Sequence, residues 1–160
     1  DFLSYDPNTG QITWLHTVSS KRVAGSTAGA LTKPHKGKQY IQIMFEGINY
    51  LAHRIAWFLM TNEQPDIIDH INGIGTHNMW NNLRICTQQQ NSCNSKLSNR
   101  NSIGFKGVSL TKNKLKFRAT IMHNYKSISL GVFNTPEEAH IAYCNMANEL
   151  HKEFANHGIN

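Results

Sequence analysis

An aspartate directly followed by a histidine, Asp69-His70, with asparagines at positions 82 and 91, places side chains where phosphodiester chemistry can be done. Hydrolysing such a bond needs a water made nucleophilic and a cation to bear the charge that grows on the phosphate and on the leaving oxygen. His70 can supply the base, because an imidazole with a pKa of about 6.5 is mostly neutral just above pH 7. Asp69 offers carboxylate oxygen and Asn91, twenty-two residues later, an amide carbonyl. Oxygen-only ligation of this kind selects one Mg²⁺ or Mn²⁺ and argues against zinc. Adjacent strand residues point to opposite sides, so Asp69 and His70 serve one site only where the strand ends or bends. Gly73 and Gly75 follow closely enough to allow that distortion.

The elements that must position these groups can be read around them. Asp69-His70 opens into a polar loop, INGIGTHNMWNN, followed by a strand-like LRIC and then Thr87-Gln88-Gln89-Gln90. A Thr with a Gln three residues later is a capping box, so Thr87 is expected to start a short helix that includes Asn91. Upstream, residues 1–68 read as scaffold. Turn formers crowd residues 5–10, a strand starts at 12, and residues 38–51 alternate apolar and polar with Glu46-Gly47 at the reversal. A helix is predicted over 53–60, with Pro65 stopping any continuation. In it, Arg54 can either face DNA or anchor the scaffold.

Downstream, the polar residues 97–103 read as a linker, followed by strand candidates at 105–110, 116–122 and 127–133. Thr135, Pro136 and Glu138 then punctuate the start of a helix whose Ala139, Ala142, Tyr143, Met146, Ala147 and Leu150 make one apolar stripe. Phe117 and Phe133 are expected beneath that helix.

Composition narrows the function classes. The chain has 160 residues, a net charge of +6 and 39% hydrophobic residues. No apolar run approaches the roughly 20 residues of a membrane span, and no secretory leader is expected. Cys86, Cys93 and Cys144 form no C-x-x-C pair, which argues against a zinc ribbon or a disulfide framework and for a reduced, cytoplasmic compartment. Residues 1–95 carry seven basic and six acidic side chains, and residues 96–160 nine and four. No acid stands between Asp69 and Glu137, whereas Arg84, Lys96, Arg100, Lys106, Lys112, Lys114, Lys116, Arg118 and Lys126 do. That distribution suits phosphate neutralisation, with a merely soluble basic surface as the alternative.

Asp69-His70, Asn82 within NNLR and Asn91 within QQQNSCN resemble the His-Asn-Asn form of the HNH endonuclease motif, with Asn82 and Asn91 twelve and twenty-one residues after His70. The spacing resembles that of phage-encoded homing enzymes. The resemblance implies a ββα-metal core in which His70 is the general base, Asp69 and Asn91 hold one divalent metal, and Asn82 fixes the hairpin and orients the base. Arg84 would reach a phosphate. His77 stands where the family often has an acid, and is either an ordinary loop histidine or a second metal or substrate contact.

GFKGVSL, KFRATI, ISLGVFNTPEEAHIAY and HKEFAN resemble the plant ethylene-response-factor (AP-two) DNA-binding domain, in the form attached to phage and bacterial HNH nucleases. This implies a sheet that meets DNA through Lys106, Lys114, Lys116, Arg118 and Lys126. Ser109, Ser127 and Ser129 replace base-reading residues of the plant domain, so phosphate contact dominates the expectation. The expected chain is α+β: an HNH domain over 1–96 with its motif at 69–95, a linker at 97–103, and a DNA-binding domain over 104–160 built as a three-stranded antiparallel sheet on one helix. The expected function is metal-dependent cleavage of double-stranded DNA by a monomer or weak dimer, in a bacterial or phage-infected cell. A non-catalytic DNA-binding protein with an HNH-like structural unit is the alternative.

Overall fold

The computed structural model describes residues 2–35, 37–98 and 100–158. The expected domain limits at Asp1 and Asn160, and Asn99 within the expected linker, lie outside them. The fold is mixed α and β, with several small antiparallel sheets and three α-helices among the described residues. The chain divides into two compact units, Asp1–Cys86 and Thr87–Asn160. No helix among the described residues is long and apolar enough to cross a membrane.

In the first unit, β1 (Leu3–Tyr5) pairs with β2 (Ile12–Trp14), Leu3 opposite Trp14 and Tyr5 opposite Ile12. A second sheet runs β3 (Ala30–Leu31), β4 (Ile41–Phe45), β5 (Ile48–Leu51). Glu46 and Gly47 both take positive φ (49° and 79°), the backbone a tight hairpin reversal demands. Ile12, Trp14, Ala28, Ile43 and Ala52 form the core between these strands and α1 (Ala52–Thr61). Each such isoleucine contributes about 1.5–3 kcal/mol by leaving water.

The first helix buries Ala52, His53, Ala56 and Trp57 on one side. It ends at Asn62, whose left-handed φ of 58° lets its N–H donate to the Phe58 carbonyl, so it stops before Pro65 is reached. Ala56 and Trp57 pack on Ile68 and Leu83. Those residues belong to β6 (Ile68–His70) and β7 (Leu83–Ile85), an antiparallel pair.

The second unit begins with α2 (Gln88–Cys93), started by the Thr87 capping box. A sheet ordered β10 (Lys126–Phe133), β9 (Phe117–His123), β8 (Val108–Leu110) follows, with a bulge between Ser129 and Gly131. Strand β8 starts three residues later than the sequence suggests, because Gly104 and Gly107 take φ of 84° and 77°, outside extended backbone. The third helix, α3 (Pro136–His151), has both halves of its box: Thr135 accepts from Glu138 N, and the Glu138 side chain accepts from Thr135 N. Its Ala139, Tyr143 and Ala147 are buried, over Val108, Ala119 and Ile121 of the sheet. Phe117 and Phe133 lie in the same cluster.

Candidate active site

All three residues of β6 are buried, an unusual condition for an Asp-His pair and one that demands partners for both. Register supplies the first. Asp69 lies opposite Arg84, whose Nε and Nη2 donate to Asp69 Oδ2 at 3.0 and 2.9 Å. The Arg84 side chain, read from charge as a phosphate ligand, is only 15% exposed and forms this ion pair.

His70 meets a different set. Its Nε2 is 3.0 Å from Asn78 Oδ1, and its ring meets that of His53 edge-on at 4.9 Å, with Tyr40 tilted against it at 6.1 Å. When Asn78 Oδ1 accepts, the proton belongs on Nε2, and Nδ1 is the basic nitrogen. Burial lowers the His70 pKa below its ordinary value, although the Asn78 bond and the Asp69 charge pull it upward. His53 is pushed down further, to about 3, by burial first and then by the neighbouring charges of His70 and Arg54. Both rings are therefore neutral near pH 7.

The loop between β6 and β7 is held closed by amides. Asn82 Oδ1 accepts from Asn72 N at 3.0 Å, and its Nδ2 donates to Asn72 Oδ1 and to the His77 carbonyl at 3.1 and 2.6 Å. The strands also join through Ile71 N to the Asn82 carbonyl, 2.8 Å, and Gly73 N turns back to the His70 carbonyl at the same distance. His77 is an exposed loop residue whose Nδ1 lies 3.0 Å from Asn72 Nδ2.

The β1–β2 turn buttresses this loop from behind. Tyr5 donates its hydroxyl to the Asn78 carbonyl at 2.7 Å, and Trp80 N donates to the Pro7 carbonyl at 2.9 Å. Gly10, at φ 74°, comes so near that a Cβ there would fall 2.5 Å from Asn78 C and Met79 N. Arg54 donates to the Pro65 and Asp66 carbonyls, so it anchors the segment entering β6.

Sequence reasoning missed Asn78, His53 and Tyr40. For Asn78 the only signal was a polar residue amid a polar loop. The helical spacing of Ile55, Phe58 and Leu59 suggests that they form the inner face of this helix, but Phe58 and Leu59 are exposed and the buried side is Ala52, His53, Ala56 and Trp57, so His53 carried no signal.

Asn91 lies on α2 in the second unit, half-buried, with its N–H on the Thr87 carbonyl. Among the described residues no three His, Cys, Asp or Glu side chains are grouped to hold a metal. The donors that the sequence singles out, one carboxylate and one amide, are oxygen ligands of the kind a hard cation takes.

Of the basic residues, Lys96, Arg100, Lys114, Lys116, Arg118 and Lys126 are exposed. Cross-strand pairing puts Arg118 with Ser109 and Val132 on the sheet face away from α3, and Thr120 with Ser129 and Met122 with Ser127 beside them. Lys114 sits in the β8–β9 turn at φ 55°, and Lys126 pairs with His123 at the end of the sheet. Lys106 differs. Its Nζ donates to the Cys93 and Ser95 carbonyls at 2.9 and 2.5 Å, and burial lowers its pKa to about 8.

A family model described as HNH endonuclease matches residues 50–93, a stretch from β5 through the Asp69–Arg84 hairpin to the end of α2. Protein 3.8 of Escherichia phage T7 is 32% identical over 83 residues, an alignment covering 46% of this chain and 69% of that protein. No solved structure matches.

Proposed function

Because this chain belongs to the family of phage T7 protein 3.8 and carries an HNH endonuclease domain at residues 50–93, we propose that it is a divalent-metal-dependent DNA endonuclease hydrolysing phosphodiester bonds. The observation that carries the reading is His70: a buried imidazole beside a buried carboxylate, its pKa lowered by burial and its Nε2 3.0 Å from Asn78 Oδ1. Nδ1 of His70 takes the proton of the attacking water. His53 and Tyr40 hold the plane of the ring, and Asn82 keeps the loop that carries Asn78 closed. Arg84 steadies the Asp69 carboxylate.

Asp69 and Asn91 hold one Mg²⁺ or Mn²⁺, which when bound supplies positive charge for the phosphate and the departing 3′-oxygen. In this reading residues 1–96 form the nuclease domain, 97–103 the connection and 104–160 the DNA-binding domain, similar to the ethylene-response-factor sheet-and-helix module. Lys96, Arg100, Lys114, Lys116, Arg118 and Lys126 neutralise phosphates of double-stranded DNA, giving affinity rather than base choice. The protein works as a monomer or weak dimer in the cytoplasm of a bacterial or phage-infected cell.

Plasmid conversion at low salt tests this, with wild type and His70→Ala, each with Mg²⁺ and with EDTA. Supercoiled DNA should become open-circle or linear only with wild type and metal, while both proteins retard DNA equally. Equal cleavage by His70→Ala would remove the assignment. Equal binding with no cleavage, on DNA of the protein's own source, would favour a non-catalytic DNA-binding protein.

A further inference from the structure

The C-terminal end of α2 has an uncommon set of partners. A six-residue helix is too short to be stable alone, and α2 buries no residue of its own. Carbonyls at its end and just past it are nevertheless bonded by side chains from elsewhere in the unit. Lys106 Nζ reaches from the segment before β8 to the Cys93 and Ser95 carbonyls, a cation placed where the helix dipole is negative. Asn156, from the segment after α3, donates through Nδ2 to the Asn94 carbonyl at 3.1 Å and lies 3.4 Å from Asn94 Oδ1. Near the other end, Gln89 Nε2 donates to Asn124 Oδ1 in the β9–β10 turn at 3.1 Å. Three segments of the sheet-and-helix module thus grip the helix that carries Asn91. The lysine is itself fixed, since its carbonyl lies 3.1 Å from Nδ1 of His140 on α3.

We infer that Lys106, together with Asn156, is a positioning residue for the nuclease metal: the C-terminal module orients α2, and through it the Asn91 amide, as well as binding DNA. The inference rests on the proposed HNH reading. Lys106 then stands apart from the DNA-binding lysines, and substitution has a different consequence in each role. Removing a lysine that neutralises a phosphate would weaken DNA binding and reduce the salt slope by about one unit. Removing a positioning group weakens metal binding by about 10- to 100-fold, as for other groups that orient a ligand.

The test uses the full chain and Mn²⁺ as probe, its binding followed by the free-ion electron paramagnetic resonance signal, beside cleavage rates at saturating DNA. Wild type, Asn91→Ala, Lys106→Met and Asn156→Ala are compared. Lys106→Met should raise the Mn²⁺ dissociation constant about 10-fold or more, with DNA affinity within about twofold of wild type, and excess Mn²⁺ should restore its rate. Asn156→Ala should move the same way by less, and it carries the test if Lys106→Met does not fold. If Asn91→Ala loses Mn²⁺ affinity while both other variants keep it, the positioning role is overturned and the nuclease reading stands. If Asn91→Ala binds Mn²⁺ and cleaves as wild type does, the metal site itself is misassigned and the inference falls with it.

Discussion

Replacing Arg84 by methionine separates two roles for that residue, and the structure sets the size of the effect. The Asp69 and Arg84 side chains are 6% and 15% exposed, and both guanidinium bonds converge on Oδ2 at 3.0 and 2.9 Å. Methionine keeps the volume and removes the charge, so a nearly buried carboxylate loses its counter-ion. Removing one member of such a pair costs about 3–5 kcal/mol, because the remaining charge stays desolvated. At roughly 2–4 °C per kcal/mol for a chain of this length, the melting temperature should fall by about 10 °C. Adding Asp69→Asn to Arg84→Met should recover part of the loss, since both charges of this ion pair are then gone. Circular dichroism melting of the two variants beside wild type measures this. A melting temperature for Arg84→Met within about 2 °C of wild type, together with weaker DNA binding, would refute the argument and return the arginine to the phosphate backbone.

His53 sits at about 3 when folded and at about 6.5 when unfolded, so the unfolded chain binds more protons between those values. Its stabilising effect is complete above pH 6.5 and is lost as pH falls toward 3, by on the order of 5 kcal/mol; melting curves should show that acid slope, and His53→Phe should flatten it. Gly107→Ala forces a Cβ onto the Tyr143 ring at a φ of 77°. Left-handed strain and overpacking together should cost about 3 kcal/mol, read as a lower urea midpoint at unchanged slope.

What the sequence made legible was local chemistry. The Thr87 and Thr135 boxes, the Glu46-Gly47 reversal and the stripe of α3 each depend on residues within a turn or two of one another, and the structure places all of them as read. The adjacency of Asp69 and His70 is local in the same way, and the strand that carries them buries both. What was not legible depends on partners far along the chain. Arg84 looks like a free cation until register sets it opposite Asp69. Lys106 looks like any lysine of a basic stretch until the fold brings its Nζ to the end of α2. Asn78 carries no periodicity, charge or motif, and its place against His70 appears only once the loop has closed.

The hydroxyl of Tyr5 on the carbonyl of Asn78 joins residues 73 positions apart. Closing a chain segment of that length costs about 4 kcal/mol of entropy by the logarithmic rule, and contacts of such separation form late and slowly. The surroundings of His70 are therefore among the last parts of the first unit to assemble and, by the same reasoning, among the first to open. Hydrogen exchange at Ile71 and Gly73 should report an opening that leaves the β3–β4–β5 sheet intact. A nascent chain would carry all the hydrogen-bonding groups of the HNH hairpin before it had a rigid one, and the amino-terminal turn acts as the latch that ends that interval.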